Sequence, residues 1–364
     1  MFIKKLSDKM KNVAVVGIQG VPAQYGGFES LVENLIGEHK SDDIRYTVFC
    51  SGKDMKQRLA EYKGAELKYV PLRANGVQSI PYDMISFMRI PKNADVVLVL
   101  GVSGCLILPL FRLFCKKKLI INIDGLEHRR AKWGKLAKAF LKFSEKMAVK
   151  YADVIISDNK GIQDYVREEY GRESELIAYG GDHVIRHIPH VEAVETLRRY
   201  GLRAGAYAVT VCRIEPENNC HLVLEAFSKS GKDLAFVGNW SKSAYGQELK
   251  EKYSAFPNIH ILDPIYDIDI LYVLRQNAWA YVHGHSAGGT NPSLVEAMFF
   301  GNPILAYDVV YNRETTDGGA MYWSTSDELL DLLSLDTFDT SRLIVAANGK
   351  YTWKRIACQY EKLY

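Results

Sequence analysis

Residues 279–308 read WAYVHGHSAGGTNPSLVEAMFFGNPILAYD, and the order of patterns inside them decides the fold class. Trp279 to Val282 is a short apolar strand pattern, followed by the small, polar run GHSAGGTN. From Pro292 onward Leu294, Val295, Ala297 and Met298 recur at helical spacing, until Gly301, Asn302 and Pro303 stop the helix. A second apolar strand, ILAY, begins at Ile304. Strand, glycine loop, helix and strand form one unit of a parallel sheet. The loop lies at the carboxyl end of a strand, where open α/β sheets bind ligands.

Asn291 suits the N-cap of that helix and Pro292 its first turn. Gly288 and Gly289 have no side chains to hold a ligand off. From Gly288 through Thr290 to Asn291, backbone N–H groups and the positive helix end would face an anion. Glu296, one turn further in, could accept hydrogen bonds from sugar hydroxyls; otherwise it is a solvated helix residue.

The same alternation runs through the rest of the chain. Asn12 to Gly17 (NVAVVG) reads as a buried strand, followed by the loop IQGVPAQYGG and a helix from Phe28 to about His39. Gly17 and Gly20 have the wrong spacing for a dinucleotide fingerprint, which disfavours a nicotinamide-dependent oxidoreductase. Gly26 and Gly27 would let a ligand approach the backbone at the helix start. Further strands are RYTVFCS, LKYVPL, ADVVLVLG, LIINID and ADVIIS, with a helix around Tyr82 to Met88, and ELIAYGGD closes the first sheet. Asp124 ends a strand at the ligand edge, as a helix cap or a substrate contact.

A polar run from Asp182 to about Glu195 reads as the linker. Its His183, His187 and His190 have metal-like spacings, but the segment is broken by proline and no metal is expected. Beyond it, AYAVTVCRIEPENN is a strand ending near Arg213, whose guanidinium could bridge two phosphate oxygens or pair with Glu215 or Glu217. The triplet Asp267 to Asp269 resembles a metal-binding Asp-x-Asp motif, but it precedes the helical pattern ILYVLRQ, so helix capping is the better account.

At 364 residues, 48% hydrophobic and 24% charged, the chain is long enough for two globular domains. Residues 1–180 hold 29 Lys and Arg against 21 Asp and Glu, a balance of +8; residues 181–364 hold 17 against 22, or −5. A basic first half suggests an anionic surface or substrate there. Between Arg129 and Lys150 lie eight basic residues and one acid, Glu145. Trp133, Leu136, Ala137, Phe140, Leu141, Ser144 and Met147 recur there at helical spacing. That is either a solvated helix packed on the core or an amphipathic helix at an anionic bilayer, each nearby Lys or Arg contributing about 1 kcal/mol. Nothing resembles a nucleic-acid platform. The six cysteines show no metal-type pairing, and a reduced, cytoplasmic protein is expected. The opening MFIKKLSDKMKNVAVVG does not read as a signal peptide.

Together GHSAGGTNPSLVEAM and GIQGVPAQYGGFES resemble the GT-B glycosyltransferases of family 4, in their bacterial polysaccharide rhamnosyltransferase-like branch. The family signature places two glutamates seven residues apart. Glu296 matches the second, which binds the nucleotide ribose, and Gly288 stands at the first, as expected in this branch. The family's Arg-and-Lys pair on the donor diphosphate corresponds to Arg213 and Asn218. NIDGLEHRRAKW resembles the acceptor loop, which implies roles for Asp124 in positioning the reacting sugar and for Glu127, His128, Arg129, Arg130, Trp133 and Lys135 toward acceptor or membrane.

The resemblance implies two doubly wound Rossmann-like α/β domains, residues 1–186 and 187–350, with 351–364 crossing back onto the first. It implies a retaining, metal-independent transfer of a sugar, most simply L-rhamnose from dTDP-L-rhamnose, to a lipid-diphosphate-linked glucose or N-acetylglucosamine. The nucleotide sugar is then a co-substrate, no further cofactor is needed, and the enzyme would be peripheral on the inner face of the plasma membrane. A UDP or GDP donor, a sugar-nucleotide epimerase and a non-catalytic binding subunit are the rival readings.

Overall fold

A computed structural model describes residues 10–24, 26–38, 43–130, 133–335 and 337–364. The expected helix end at His39, the opening segment 1–9, and Ala131 and Lys132 of the basic run lie outside these. The chain divides into two compact units, Met1–Ala178 with Trp353–Tyr364, and Tyr179–Thr352.

The first unit contains β1 (Lys11–Val16), β2 (Ile44–Ser51), β3 (Glu61–Tyr62), β4 (Ala65–Val70), β5 (Val96–Leu100), β6 (Lys118–Asn122), β7 (Val154–Ser157) and β8 (Glu175–Leu176). Their order in the sheet is β3-β4-β2-β1-β5-β6-β7-β8. All pairs are parallel except β3 with β4. Val96 to Leu100 are buried at every position, as a strand covered on both faces must be. The chain steps outward from β1 in one direction, then restarts at β5 in the other, so β1 and β5 flank a topological switch point.

Within this unit Trp353, Ile356, Ala357 and Tyr360 of the Trp353–Glu361 helix are buried. Asn122 Nδ2 at the end of β6 donates to Tyr360 Oη over 3.0 Å, and the Tyr46 and Tyr364 hydroxyls lie 3.4 Å apart.

The second unit contains β9 (Tyr207–Val211), β10 (Asp233–Val237), β11 (Ile259–Leu262), β12 (Ala280–His283), β13 (Ile304–Tyr307) and β14 (Met321–Trp323). The order β11-β10-β9-β12-β13-β14 is parallel throughout, with its switch point between β9 and β12. Its core gathers Phe227, Phe236, Trp240 and Trp323. Both buried indoles find carbonyls, Trp240 on Leu262 and Trp323 on Leu305.

Some expectations need correction. Only Glu175 and Leu176 of ELIAYGGD pair as a strand. The proposed linker is structured, with a short turn at Asp182–Val184 and a helix at His190–Arg199, so His190 opens a helix after the proline. Trp133 lies ahead of the basic helix, which runs Lys135–Tyr151. Asp267 does cap its helix, accepting from the backbone N–H groups of Asp269 and Ile270.

Candidate active site

In the second unit the loops leaving β9 and β12 meet at the switch point and are laced together. Asn219 Nδ2 donates to Gly284 O at 2.9 Å, and Ser286 donates to Glu217 O through both its backbone N–H and its hydroxyl. A methyl group on Gly284 would stand 2.1 Å from Asn218 O, so only glycine allows this approach. Asn218 is buried. Its amide donates to Arg213 O at 2.6 Å, and its oxygen lies 2.7 Å from His285 Nδ1. That corrects its expected role: Asn218 ties the loops together instead of offering a donor to phosphate. Arg213 remains half-exposed, its guanidinium 3.6 Å from Glu215, a loose surface contact.

Gly288 takes φ +94 within the loop. Thr290 is buried, and Gly289 is likewise sheltered. Asn291 caps the Pro292–Met298 helix by accepting from Ser293 N–H at 3.0 Å, so one backbone donor of that helix start is already used. Glu296 is not a solvated helix residue. Arg275, buried and in the last turn of the Ile268–Gln276 helix, holds its Oε2 at 2.7 Å. On the other side His183 Nε2 stands 3.6 Å from Oε1. Burial lowers the His183 pKa, Glu296 opposes that shift, and Arg275 adds to it. His283, at the end of β12, is buried and pushed down to about 3 by desolvation, so it is neutral at physiological pH.

In the first unit the candidate residues gather at the carboxyl ends of β1 and β6. Gly26 takes φ +119 and, with Gly27, opens the Gly27–Glu38 helix. Glu29 turns back to accept from Gln19 N–H at 2.7 Å, and Glu33 accepts from Ala23 N–H at 2.6 Å, so two carboxylates pin the loop. Burial raises the Glu29 carboxyl pKa. The backbone donors of Gln19 and Glu29 pull it down, and the charge of Asp124 adds to the rise. Asp124 has left-handed backbone geometry (φ +63), and the cap position of the next turn is Leu126, which removes the helix-cap reading.

The expected acceptor residues are mostly turned on each other. Glu127 accepts from the Trp133 indole at 3.0 Å and pairs with Arg130 at 2.8 Å. His128 Nδ1 lies 3.0 Å from the buried Glu145, which also accepts from the hydroxyls of Tyr165 and Tyr170 at 2.6 Å. Burial works against the Glu145 charge, but hydrogen bonds from His128, Tyr165 and Tyr170 outweigh it and its pKa is lowered. Arg129 lies over the Tyr165 ring at 4.9 Å. Glu127, His128, Arg130 and Trp133 therefore brace the loop, leaving Arg129 and Lys135 as its exposed cations. Arg275, Glu29 and Glu145 carried no site signal in the sequence, and His183 only a metal-like spacing, because each lies on a different element from the group it holds.

Two family models match the chain: residues 10–182 match a domain of unknown function (DUF1972), and residues 202–320 match glycosyl transferases group 1. The second match spans Arg213, Gly288 and Glu296. This chain is a glycosyltransferase. No curated protein matches the transferase. Its fold is similar to that of sucrose-phosphate synthase from Thermosynechococcus elongatus (15% identity, 97% of this chain and 98% of the other, TM-score 0.77). It is also similar to Anabaena HepE in complex with UDP-glucose (14%, 97% and 98%, TM-score 0.76). A third similar structure is a putative UDP-N-acetylglucosamine 2-epimerase from Listeria monocytogenes (15%, 97% and 95%, TM-score 0.62). With its two α/β sheets, parallel but for the β3–β4 pair, the transferase has the GT-B fold.

Proposed function

We propose that the transferase moves L-rhamnose from dTDP-L-rhamnose, with retention of configuration, onto a lipid-diphosphate-linked glucose or N-acetylglucosamine. The observation that carries the nucleotide-sugar part is the switch-point cluster of the second unit. A half-exposed guanidinium, a glycine-bearing loop and a carboxylate fixed by a buried arginine suit a diphosphate and a ribose. The rhamnosyl part rests on the wording of the two glycine loops, with Gly288 where a donor-sugar carboxylate stands in other branches. In this reading the donor phosphate leaves from the face that the acceptor hydroxyl attacks, and a phosphate oxygen receives the proton. Arg213 and the backbone from Gly288 to Asn291 stabilise the leaving charge, so the reaction needs positioning and electrostatics but no metal. Asp124 positions the acceptor. The enzyme works peripherally at the inner face of the plasma membrane. Among the described residues no helix is long and apolar enough to cross a membrane.

A UDP-sugar donor is the second reading, favoured by the fold shared with HepE, which was crystallised with UDP-glucose. A thermal-shift panel of dTDP-rhamnose, UDP-glucose, UDP-N-acetylglucosamine and GDP-mannose separates the two, since ligand binding raises apparent stability. Selective stabilisation by dTDP-rhamnose is expected; a response to UDP sugars alone sinks the rhamnosyl assignment. Incubation with donor alone addresses epimerisation, and an epimer formed without acceptor would replace the transfer reading.

A further inference from the structure

The crossovers from β5 to β6 and from β6 to β7 run in the same direction across the first sheet. Their right-handedness puts the helices Leu108–Phe114 and Lys135–Tyr151 side by side on one face, and the two are in contact. The inner sides of this layer are ordinary core. Its outer side is not. Leu113 and Phe114 are 76% and 85% exposed and Leu136 is 89% exposed, with Leu106, Leu110 and Phe143 also open to solvent. Large apolar side chains gathered on one face mark an interaction surface, whereas single exposed ones do not.

The charges around this ridge say what covers it. The stretches 105–118 and 133–151 carry nine Lys and Arg and a single acid, Glu145, which is buried and spent on His128, Tyr165 and Tyr170. Arg112, Lys117 and Lys142 are held by protein groups. Lys116, Lys118, Lys135, Lys138 and Lys146 have no ion-pair partner among the described residues. A second copy of this face would bring like charges together. An anionic bilayer meets both needs, apolar side chains entering below the headgroups and ammonium groups resting among phosphates.

We infer that the outer face of the helices Leu108–Phe114 and Lys135–Tyr151 is a docking surface for an anionic phospholipid bilayer, seated by Leu110, Leu113 and Phe114. This deepens the proposed peripheral location and assigns it to a particular face, on which the helix before β6 supplies the apolar anchor. It leaves the identity of donor and acceptor untouched.

The test is co-sedimentation of the full chain, without donor or acceptor, with vesicles of phosphatidylglycerol and phosphatidylcholine and with vesicles of phosphatidylcholine alone. Binding to the mixed vesicles that weakens with salt is expected. The variant L110Q/L113Q/F114Q should bind them about tenfold or more weakly, as lost apolar insertion requires. K116E/K118E/K146E should bind weakly by the loss of charge. Unchanged donor-induced thermal shift in both variants shows that they are folded. Wild-type chain that ignores anionic vesicles, or a leucine variant that binds as well as wild type, overturns the inference. So does a dimer in sedimentation equilibrium that the leucine variant abolishes. Because vesicle binding is read without turnover, its failure is separable from failure of the transferase reading.

Discussion

Arg213 and Arg275 are both arginines beside a carboxylate, and their burial gives them opposite duties. Arg213 is half-exposed with a loose contact to Glu215, so exchanging that contact for a phosphate oxygen costs little. Arg213→Ala should lower turnover by about 10²–10³-fold, by analogy with loss of an oxyanion donor, while leaving stability near wild type. Full turnover in that variant would remove Arg213 from the chemistry. Arg275 is buried against Glu296. Removing one partner of a buried pair leaves an uncompensated charge, so Arg275→Met should destabilise the chain by about 3 kcal/mol in urea unfolding. The double variant R275M/E296L should recover much of that stability yet lose the donor-induced thermal shift, separating the structural duty of the pair from the binding duty of Glu296. A single variant as stable as wild type would show that the contact carries no weight.

A third residue gives a pH signature. Asp83 is buried, and desolvation pushes its carboxyl up to about 8 even though the Gly104 backbone N–H favours the charged form. The folded pKa lies above the unfolded value of about 3.9. Asp83 therefore favours the fold fully below about pH 4, and that contribution is lost as pH rises toward and through about 8. Asp83→Asn should remove this slope, so the stability difference between variant and wild type should shift toward the variant between pH 5 and pH 8. Urea unfolding of both proteins at the two pH values measures it; a constant difference would mean that Asp83 does not titrate in this range.

At the scale of elements, what could be read in the sequence was what repeats. Val96 to Leu100 and Tyr207 to Val211 are apolar runs of strand length, and NVAVVG, ADVIIS and ILAY each pair as parallel strands close to the expected bounds. Local rules also placed Asn291 and Asp267 as caps, because a cap acts on residues two or three positions away. What could not be read was contact between elements. Nothing near Glu296 in sequence points to Arg275, and nothing near His128 points to Glu145, 17 residues on. Asn218 was misjudged for the same reason, since its partner His285 comes from the loop after β12. That lacing is testable at Gly284. A methyl there would collide with the backbone oxygen of Asn218, which cannot rotate away as a side chain could. Gly284→Ala should cost about 1–3 kcal/mol as an overpacked site and should also reduce turnover, because the loop bearing Arg213 must shift. Wild-type activity and stability would show that the loops move independently.

On the scale of the whole molecule, the chain begins and ends in the same compact unit. The whole of the second unit, Tyr179–Thr352, intervenes before Trp353–Tyr364 joins residues 10–178. The returning helix buries Trp353, Ile356 and Tyr360 and supplies the hydroxyl that satisfies Asn122, a buried amide at the end of β6. At about 1.5–3 kcal/mol for each large apolar side chain buried, those three residues contribute on the order of a domain's whole net stability of roughly 5–15 kcal/mol. The first unit is therefore incomplete without residues 353–364, whereas the second, Tyr179–Thr352, is continuous. A chain stopped after Thr352 should keep a cooperative second unit and lose protection in the first. Hydrogen exchange should show fast exchange in β1, β5 and β6 and near-native protection in β9 and β12. Because Asp124 follows β6, the truncated chain should also fail to transfer sugar even if it still binds a nucleotide sugar through the second unit. Native protection in β6 without residues 353–364 would show that the first sheet does not need the returning helix.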